Sequence, residues 1–533
     1  MEGVIMNGTR NHRVRLGVVI GVLVLLCLAG CSENTNKKST EYDTQVKVEV
    51  TADEKDNAGA KDTDSMVSNE EATYAINLNQ IGYRPNDKKI AMVSNNNGID
   101  TYQVLDEAGN TVYSGKLLGR KWDNISNSMV QFADLSSFKK PGSYYLICGD
   151  VLYSDEFTIG EDVYQEYYDA IGNYFSDMQK KATALEQPDK EEPICATIYG
   201  TDQQIDVTGG LYDLKIRGQY VVDSCTTIAS MLLLYDTYYD LGIKEIEKKN
   251  LEPGELLALV KQELKWLLKL QNTQGGVYHK VTVANEEKSE DGLYVFPVST
   301  CATADFSAVM AKAYGYFLKS DKEFANTCLV AAQKAWIFLE NNKESITFAN
   351  PENVTTSEFK DDDDRDERFW AAIELSLTTK RSDYVSYVAD HIDTGFYIGF
   401  TWQRVAGYGV LDAITGGKDI FSTDTYTRMN TIMETKVNSI SSHVDKVTYQ
   451  VNLNSSATFQ TIISEAITMY LMASNENKMD LYYNSKIFLD FLMGANAYSE
   501  NYIGESQEIS SLDMDYIAKL SLLLVGINEE YSK

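Results

Sequence analysis

Basic residues are scarce for a chain of this length. Lys and Arg number 48 against 78 Asp and Glu in 533 residues, a net charge of −30. Neutralising phosphates needs basic patches, so no nucleic-acid partner is expected. An acidic surface remains compatible with neutral polymers such as polysaccharides. Cysteine is sparse and unpatterned. Cys27 and Cys31 lie near the N-terminus; Cys148, Cys195, Cys225, Cys301 and Cys328 show no Cys-x-x-Cys spacing. That argues against a disulfide framework, a zinc knuckle or a redox pair; most of the five sit in apolar contexts and read as small buried residues. The four histidines are His12, His279, His391 and His443. No zinc triad, nucleotide-binding Gly-rich loop or Ser-His-Asp arrangement stands out. The apolar run from Leu16 to Leu28 is too short for a comfortable membrane span.

That run is nevertheless informative. His12, Arg13 and Arg15 precede it, and it ends in Leu28-Ala29-Gly30-Cys31. A positive region, an apolar stretch and small residues before a cysteine resemble a bacterial lipobox. The expectation is a signal peptide over 1–30 and acylation of Cys31, giving an extracytoplasmic lipoprotein tethered to the cell membrane of a bacterium. Residues 31–73 carry the lipidated Cys and a stretch rich in Lys, Glu, Asp, Asn, Thr and Ser, which reads as a disordered linker.

From about Tyr74 the pattern turns to period two. Strands are expected from Ile76, over Lys89 to Val93, Tyr102 to Leu105, Thr111 to Tyr113, Ser143 to Cys148 and Asp155 to Ile159, with a turn at Asp106 to Asn110. Short strands at this spacing predict an immunoglobulin-like β-sandwich over 74–160. After about Val163 the apolar residues recur every three to four positions. Helices are expected to begin near Val163, Gln219, Gly254, Ala302, Glu323, Asp366, Ser382, Val405, Thr423, Ala457, Lys478 and Asp513. A dozen helices in one stretch, 161–533, suggest a toroid of paired helices rather than a four-helix bundle.

Several motifs carry a resemblance. Asn79-Gln80-Ile81-Gly82-Tyr83-Arg84-Pro85 resembles the opening of the immunoglobulin-like domain that precedes many family-9 glycoside hydrolases. Gly209-Gly210-Leu211-Tyr212-Asp213 and Gly218-Gln219-Tyr220-Val221-Val222 resemble that family's active-site loop and the helix after it. Gly275-Gly276-Val277-Tyr278-His279-Lys280, Ser299-Thr300-Cys301-Ala302-Thr303-Ala304-Asp305-Phe306 and Asp366-Glu367-Arg368-Phe369-Trp370-Ala371-Ala372 follow in the family's order. The resemblance implies a multidomain chain with an (α/α)6 barrel, a six-hairpin toroid with an open cleft, and β-1,4-glucans such as cellulose as ancestral substrate.

Inverting glycosidases need a carboxylate to activate water and a carboxylic acid to protonate the leaving oxygen, roughly 6.5–9.5 Å apart. The family's loop reads Asp-Ala-Gly-Asp, its second Asp being the base. Here those positions read Asp213-Leu214-Lys215-Ile216. Asp213 retains the first carboxylate, and Ile216 occupies the base position. The acid, a Glu, precedes a helix start that Asp515-Tyr516-Ile517-Ala518 resembles; the same register puts Ser511 at its place. Neither side chain exchanges a proton usefully. The family's His- and Arg-bearing sugar-holding loop before the acid is also shortened, and no His follows His443.

Within the resemblance, His279 and Trp402 are candidate sugar contacts, and Asp366 and Glu367 a candidate calcium site; no cofactor is required. The expected function is a surface-anchored, catalytically weak or inactive family-9-like protein that binds β-glucan or a related polysaccharide. An active inverting hydrolase with relocated carboxylates, Asp213 with Glu505 or Glu508, is the alternative. A structural or protein-interaction module is the third reading.

Overall fold

The computed structural model describes residues 76–94, 98–124, 126–149, 152–185, 194–211, 218–240, 253–286, 292–393, 395, 397–444, 446–451, 458–476 and 478–530. The signal region, Cys31 and the linker lie outside them, as do Asp213 and Ile216. Among the described residues, no helix is long and apolar enough to cross a membrane.

Among the described residues, nine strands build the first domain: β1 (Ile76–Asn77), β2 (Ile90–Ser94), β3 (Thr101–Asp106), β4 (Thr111–Lys116), β5 (Leu118–Asp123), β6 (Ser128–Asp134), β7 (Gly142–Cys148), β8 (Leu152–Tyr153) and β9 (Phe157–Ile159). They form two sheets, ordered β1-β2-β6-β5 and β4-β3-β7-β8, with β9 also paired to β7. All pairings among them are antiparallel. Alternation decides what each face covers. Ala91, Val93 and Ala133 point into the sandwich core with Val104, Leu146 and Phe157. Met92 and Val130, one residue out of phase, join the core of the second domain. β2 and β6 are thus covered on both faces, whereas β5 at the sheet's edge is mostly exposed. The sandwich expected from the sequence is present; β5, β6 and the two-residue β8 were not anticipated.

The second domain contains α1 (Gln165–Leu185), α2 (Val221–Asp240), α3 (Pro253–Lys269), α4 (Thr300–Phe317), α5 (Lys322–Asn341), α6 (Arg365–Thr379), α7 (Ser382–His391), α8 (Ala406–Gly416), α9 (Thr423–Val444), α10 (Phe459–Glu476), α11 (Met479–Leu492) and α12 (Met514–Glu530). Even-numbered helices are the inner wall: α2 meets α4 and α12, α4 meets α6, α6 meets α8, and α10 meets α12. Each pairs with an outer helix, as in α2 with α3, α4 with α5 and α10 with α11. The amide of Phe400, just before α8, bonds Ser464 Oγ of α10 at 3.0 Å across the remaining gap. This is the (α/α)6 barrel. Inner helices such as α4 are apolar nearly all round because neighbours cover every face. Short strands, β10 (Cys195–Ile198), β11 (Gln204–Asp206), β12 (Gly218–Tyr220), β13 (Val277–Tyr278), β14 (Lys280–Thr282), β15 (Tyr294–Val295) and β16 (Val298–Ser299), decorate the inner helices' N-terminal end.

The Asn79–Pro85 motif fastens the two domains. Asn79 Oδ1 accepts from the amides of Ile81 (2.9 Å) and Gly82 (3.1 Å), shaping a turn, while Asn79 Nδ2 donates to Asp490 of α11 at 2.7 Å. The Gln80 amide donates to Met493 O at 2.8 Å. Tyr164 Oη donates to Gly82 O at 3.0 Å. Gly82 has φ +125°, and a Cβ there would stand 2.3 Å from Thr158 O, so the tight approach requires glycine.

Candidate active site

The positions that the resemblance assigns to base and acid, Ile216 and Ser511, both precede inner helices that touch. Residues 212–217 run into β12 and α2; Ser511 lies just before α12, and α2 packs on α12. The described residues on either side of 212–217 are pinned. The Leu211 amide donates to Glu263 Oε2 at 2.6 Å, and Gln219 Nε2 donates to Gly209 O at 2.9 Å. Burial pushes the Glu263 carboxyl up to about 7. Beyond the loop, β12 pairs with β14 from Gly218 to Tyr220.

Ser511 ends a short 3-10 helix, Ser506–Ser511, and is exposed. Its hydroxyl donates to Glu508 O at 2.6 Å, closing the turn. The two nearby carboxylates are also engaged locally. Glu508 Oε2 accepts the Glu505 amide at 3.0 Å, and the Glu505 side chain caps the first turn in return. Tyr167 Oη donates to Gly504 O at 2.7 Å and fixes this helix against α1. After it, Asp513 Oδ1 accepts the Asp515 amide at 2.9 Å and starts α12. No partner geometry for Asp213 and Ile216 follows, because both fall outside the described residues.

His279 has no exposed surface. Nε2 lies 2.9 Å from Glu358 O and Nδ1 lies 2.8 Å from Ser299 Oγ. A carbonyl only accepts, so Nε2 carries the proton and Ser299 donates to Nδ1. The ring stacks on Phe348 at 4.2 Å, and burial pushes its pKa down to about 3. It ties β14 to the loop around Glu358, and its enclosed ring leaves no surface for the sugar contact expected of it. Trp402 is likewise enclosed, 5% exposed, with its ring 5.0 Å from Phe359; Phe359 in turn packs 4.4 Å from Tyr220. Trp402 thus packs inside the barrel domain and leaves little ring surface for the sugar contact expected of it.

Sequence reasoning missed Lys280, next to His279. Its Nζ donates to Asn350 Oδ1 (2.7 Å), Ser357 O (2.6 Å) and Thr356 Oγ1 (3.1 Å). The rings of Phe296 and Phe348 flank it at 4.8 and 5.2 Å. A lysine in the fully buried strand Lys280–Thr282 was the available signal.

The acidic run divides. Asp363 pairs with Arg365, and Asp364 with Arg368 at 3.0 Å. Asp366 and Glu367 turn inward toward Asp305 of α4. Asp366 Oδ2 accepts the Val405 amide at 2.9 Å. Both carboxylate oxygens of Glu367 and of Asp305 are buried without a hydrogen-bond partner. Burial, then neighbouring carboxylates, push Glu367 and Asp305 well above the usual range, and burial raises Asp366 to about 6. Orphaned hard oxygens fit calcium chemistry. Among the described residues no three His, Cys, Asp or Glu side chains converge on one point, so carbonyls would have to complete any shell.

The family model "Glycosyl hydrolase family 9" matches residues 162–511, and "Cellulase N-terminal ig-like domain" matches 71–152. The chain belongs to glycosyl hydrolase family 9. It is 32% identical over 329 residues to a cellodextrinase of Butyrivibrio fibrisolvens (58% of this chain, 59% of the relative). It is 31% identical over 359 residues to endoglucanase D of Acetivibrio thermocellus (63% and 57%). The chain thus spans under two thirds of the length of these relatives. The crystal structure of a metagenome-derived family-9 endoglucanase superposes with a TM-score of 0.71 at 22% identity, covering 86% of this chain and 98% of that one. The likeness establishes a shared fold.

Proposed function

We propose that this chain holds β-1,4-glucan or a related polysaccharide in a family-9 cleft and hydrolyses it weakly or not at all, displayed outside a bacterial cell membrane through lipidated Cys31. The carrying observation is the pair of substitutions, Ile216 at the base position and Ser511 at the acid position. A serine hydroxyl bound to Glu508 O is no acid for a glycosidic oxygen, and Glu508 and Glu505 are engaged in a cap. The names of the relatives, a cellodextrinase and an endoglucanase, support glucan as the ligand class. Each missing proton-transfer group should cost roughly 10²–10⁴-fold in rate. Reducing-sugar release from soluble cellulose derivatives tests this, with retardation in glucan-containing gels reporting binding. The expected result is retardation without release. Robust turnover abolished by Asp213→Ala or Glu508→Gln would establish relocated carboxylates instead.

Calcium forms a second part of the proposal. Asp366 and Glu367 would hold it, and it would neutralise this buried cluster of carboxylates rather than act on the sugar. A thermal midpoint indifferent to calcium and to chelator would exclude this.

A further inference from the structure

The first sheet ends in an edge strand, β5, paired with β6 on one side, whose chemistry is unlike the rest of this acidic molecule. From Lys116 to Trp122 the chain reads Lys-Leu-Leu-Gly-Arg-Lys-Trp, three basic residues and no acidic one. Lys116 and Arg120 are exposed. The next acid, Asp123, is buried and accepts from the Ser126 amide and hydroxyl. Leu118 is 54% and Trp122 55% exposed, and Trp122 is the one exposed tryptophan of the five. The indole is held in place: Nε1 donates to Asn124 Oδ1 at 3.1 Å, and Thr448 Oγ1 of the barrel domain donates to Trp122 O at 3.3 Å.

Register restricts what can meet both apolar side chains. Leu118 lies opposite Phe132, on the face turned to the barrel, and Trp122 lies opposite Met129, on the other face. A surface touches both only by approaching the free edge of β5. Edge strands ordinarily carry Lys and a bulge as protection, and both are here, the register shifting between Leu118 and Lys121. Protection explains the charges and does not explain a fixed, exposed Trp beside a Leu. The bulge interrupts the ladder that an added peptide strand would need. Like charges oppose pairing with a second copy. An anionic surface is the complement of this basic edge, and tryptophan prefers the headgroup depth.

We propose that the β5 edge, through Leu118, Arg120 and Trp122, with Lys116 at the end of β4 two residues before it, rests on anionic phospholipid and sets the orientation of the sandwich at a membrane surface. This stands on the edge itself and holds whether or not Cys31 is acylated. The test uses the chain from residue 31 with Cys31→Ser, floated with phosphatidylglycerol or phosphatidylcholine vesicles at low ionic strength. Flotation with the anionic vesicles only is expected, with a blue shift in tryptophan emission. Lys116→Ala with Arg120→Ala should reduce partitioning on the order of thirtyfold. Trp122→Ala should remove the blue shift at an unchanged thermal midpoint. Equal flotation by parent and variants, or no preference for phosphatidylglycerol, overturns the proposal. So does loss in Trp122→Ala of retardation by soluble glucan, which would assign the edge to sugar, or of a concentration-dependent dimer, which would assign it to a second copy.

Discussion

Lys486 is the most consequential single charge at the domain junction. It sits on α11, 2% exposed at the side chain, paired with Asp490 one turn on and 3.7 Å from Asp87 of the sandwich. The rings of Tyr83 and Tyr164 flank its Nζ at 5.5 and 5.8 Å. Lys486→Met preserves the aliphatic stem and removes the charge. Two enclosed carboxylates then lack their cation, although Asp490 keeps the Asn79 amide at 2.7 Å. Breaking a buried pair from one side costs about 3–5 kcal/mol. Unfolding entropy scales with length, so in a cooperative unit of about 450 residues that is a fall of roughly 3–5 °C in thermal midpoint. Burial holds the Asp490 carboxyl above its ordinary range, and loss of Lys486 raises it further. A carboxyl whose folded pKa is raised loses stability as pH rises, because the unfolded chain releases its proton first. The deficit should therefore be larger at pH 8 than at pH 5, and Asp490→Asn added to Lys486→Met should recover part of it. Scanning calorimetry at the two pH values reads all of this. A variant within 1 °C of the parent at pH 8, or one hurt more at pH 5, would refute the reasoning.

His279 gives the opposite sign. Its pKa is pushed down to about 3 by burial, against about 6.5 unfolded. The unfolded chain alone gains this proton as pH falls below 6.5, so stability drops by up to about 1.4 kcal/mol per pH unit between those values. His279→Gln should flatten the parent's decline of thermal midpoint between pH 6.5 and 4 by about one proton's worth, although it is less stable at pH 7; identical slopes would show that the ring is not held neutral. At the N-terminus, Cys31→Ser should release the protein from the membrane fraction or stop processing. Normal processing with unchanged retention would remove the lipoprotein assignment.

The helices were legible because burial on an inner or outer wall imposes a period near 3.6. All twelve start within two residues of where that period first appears: α7 at Ser382 and α9 at Thr423 coincide with it, and α10 at Phe459 lies two beyond. Strands with one clean buried face, such as β3 with Tyr102 and Val104 inward, were legible for the same reason. β5 was not, because an edge strand reading Leu-Gly-Arg-Lys-Trp-Asp carries a bulge and few inward residues. The small strands of the barrel domain span two to four residues, too short for any period. At the site, identity at a position was readable and environment was not. Nothing in Phe-Thr-Trp-Gln separates an open platform from the enclosed Trp402, whose burial depends on Phe359, 43 positions earlier.

The roots of the altered loop bear on which reading of the cleft holds. Glu263 is fully buried, and it meets Ser224 of α2 as well as the Leu211 amide. Burying a carboxyl to tie a loop root to an inner helix is costly beside an apolar side chain of similar volume. Gly209 and Gly210 hold φ of +100° and +78° at the same root, and a Cβ on Gly210 would stand 2.2 Å from Gln219 Nε2. A barrel that only filled space could close this end with apolar residues and gain stability. The expense is intelligible if this end of the barrel must present residues 212–217 in one place, which is a demand of function and not of packing alone.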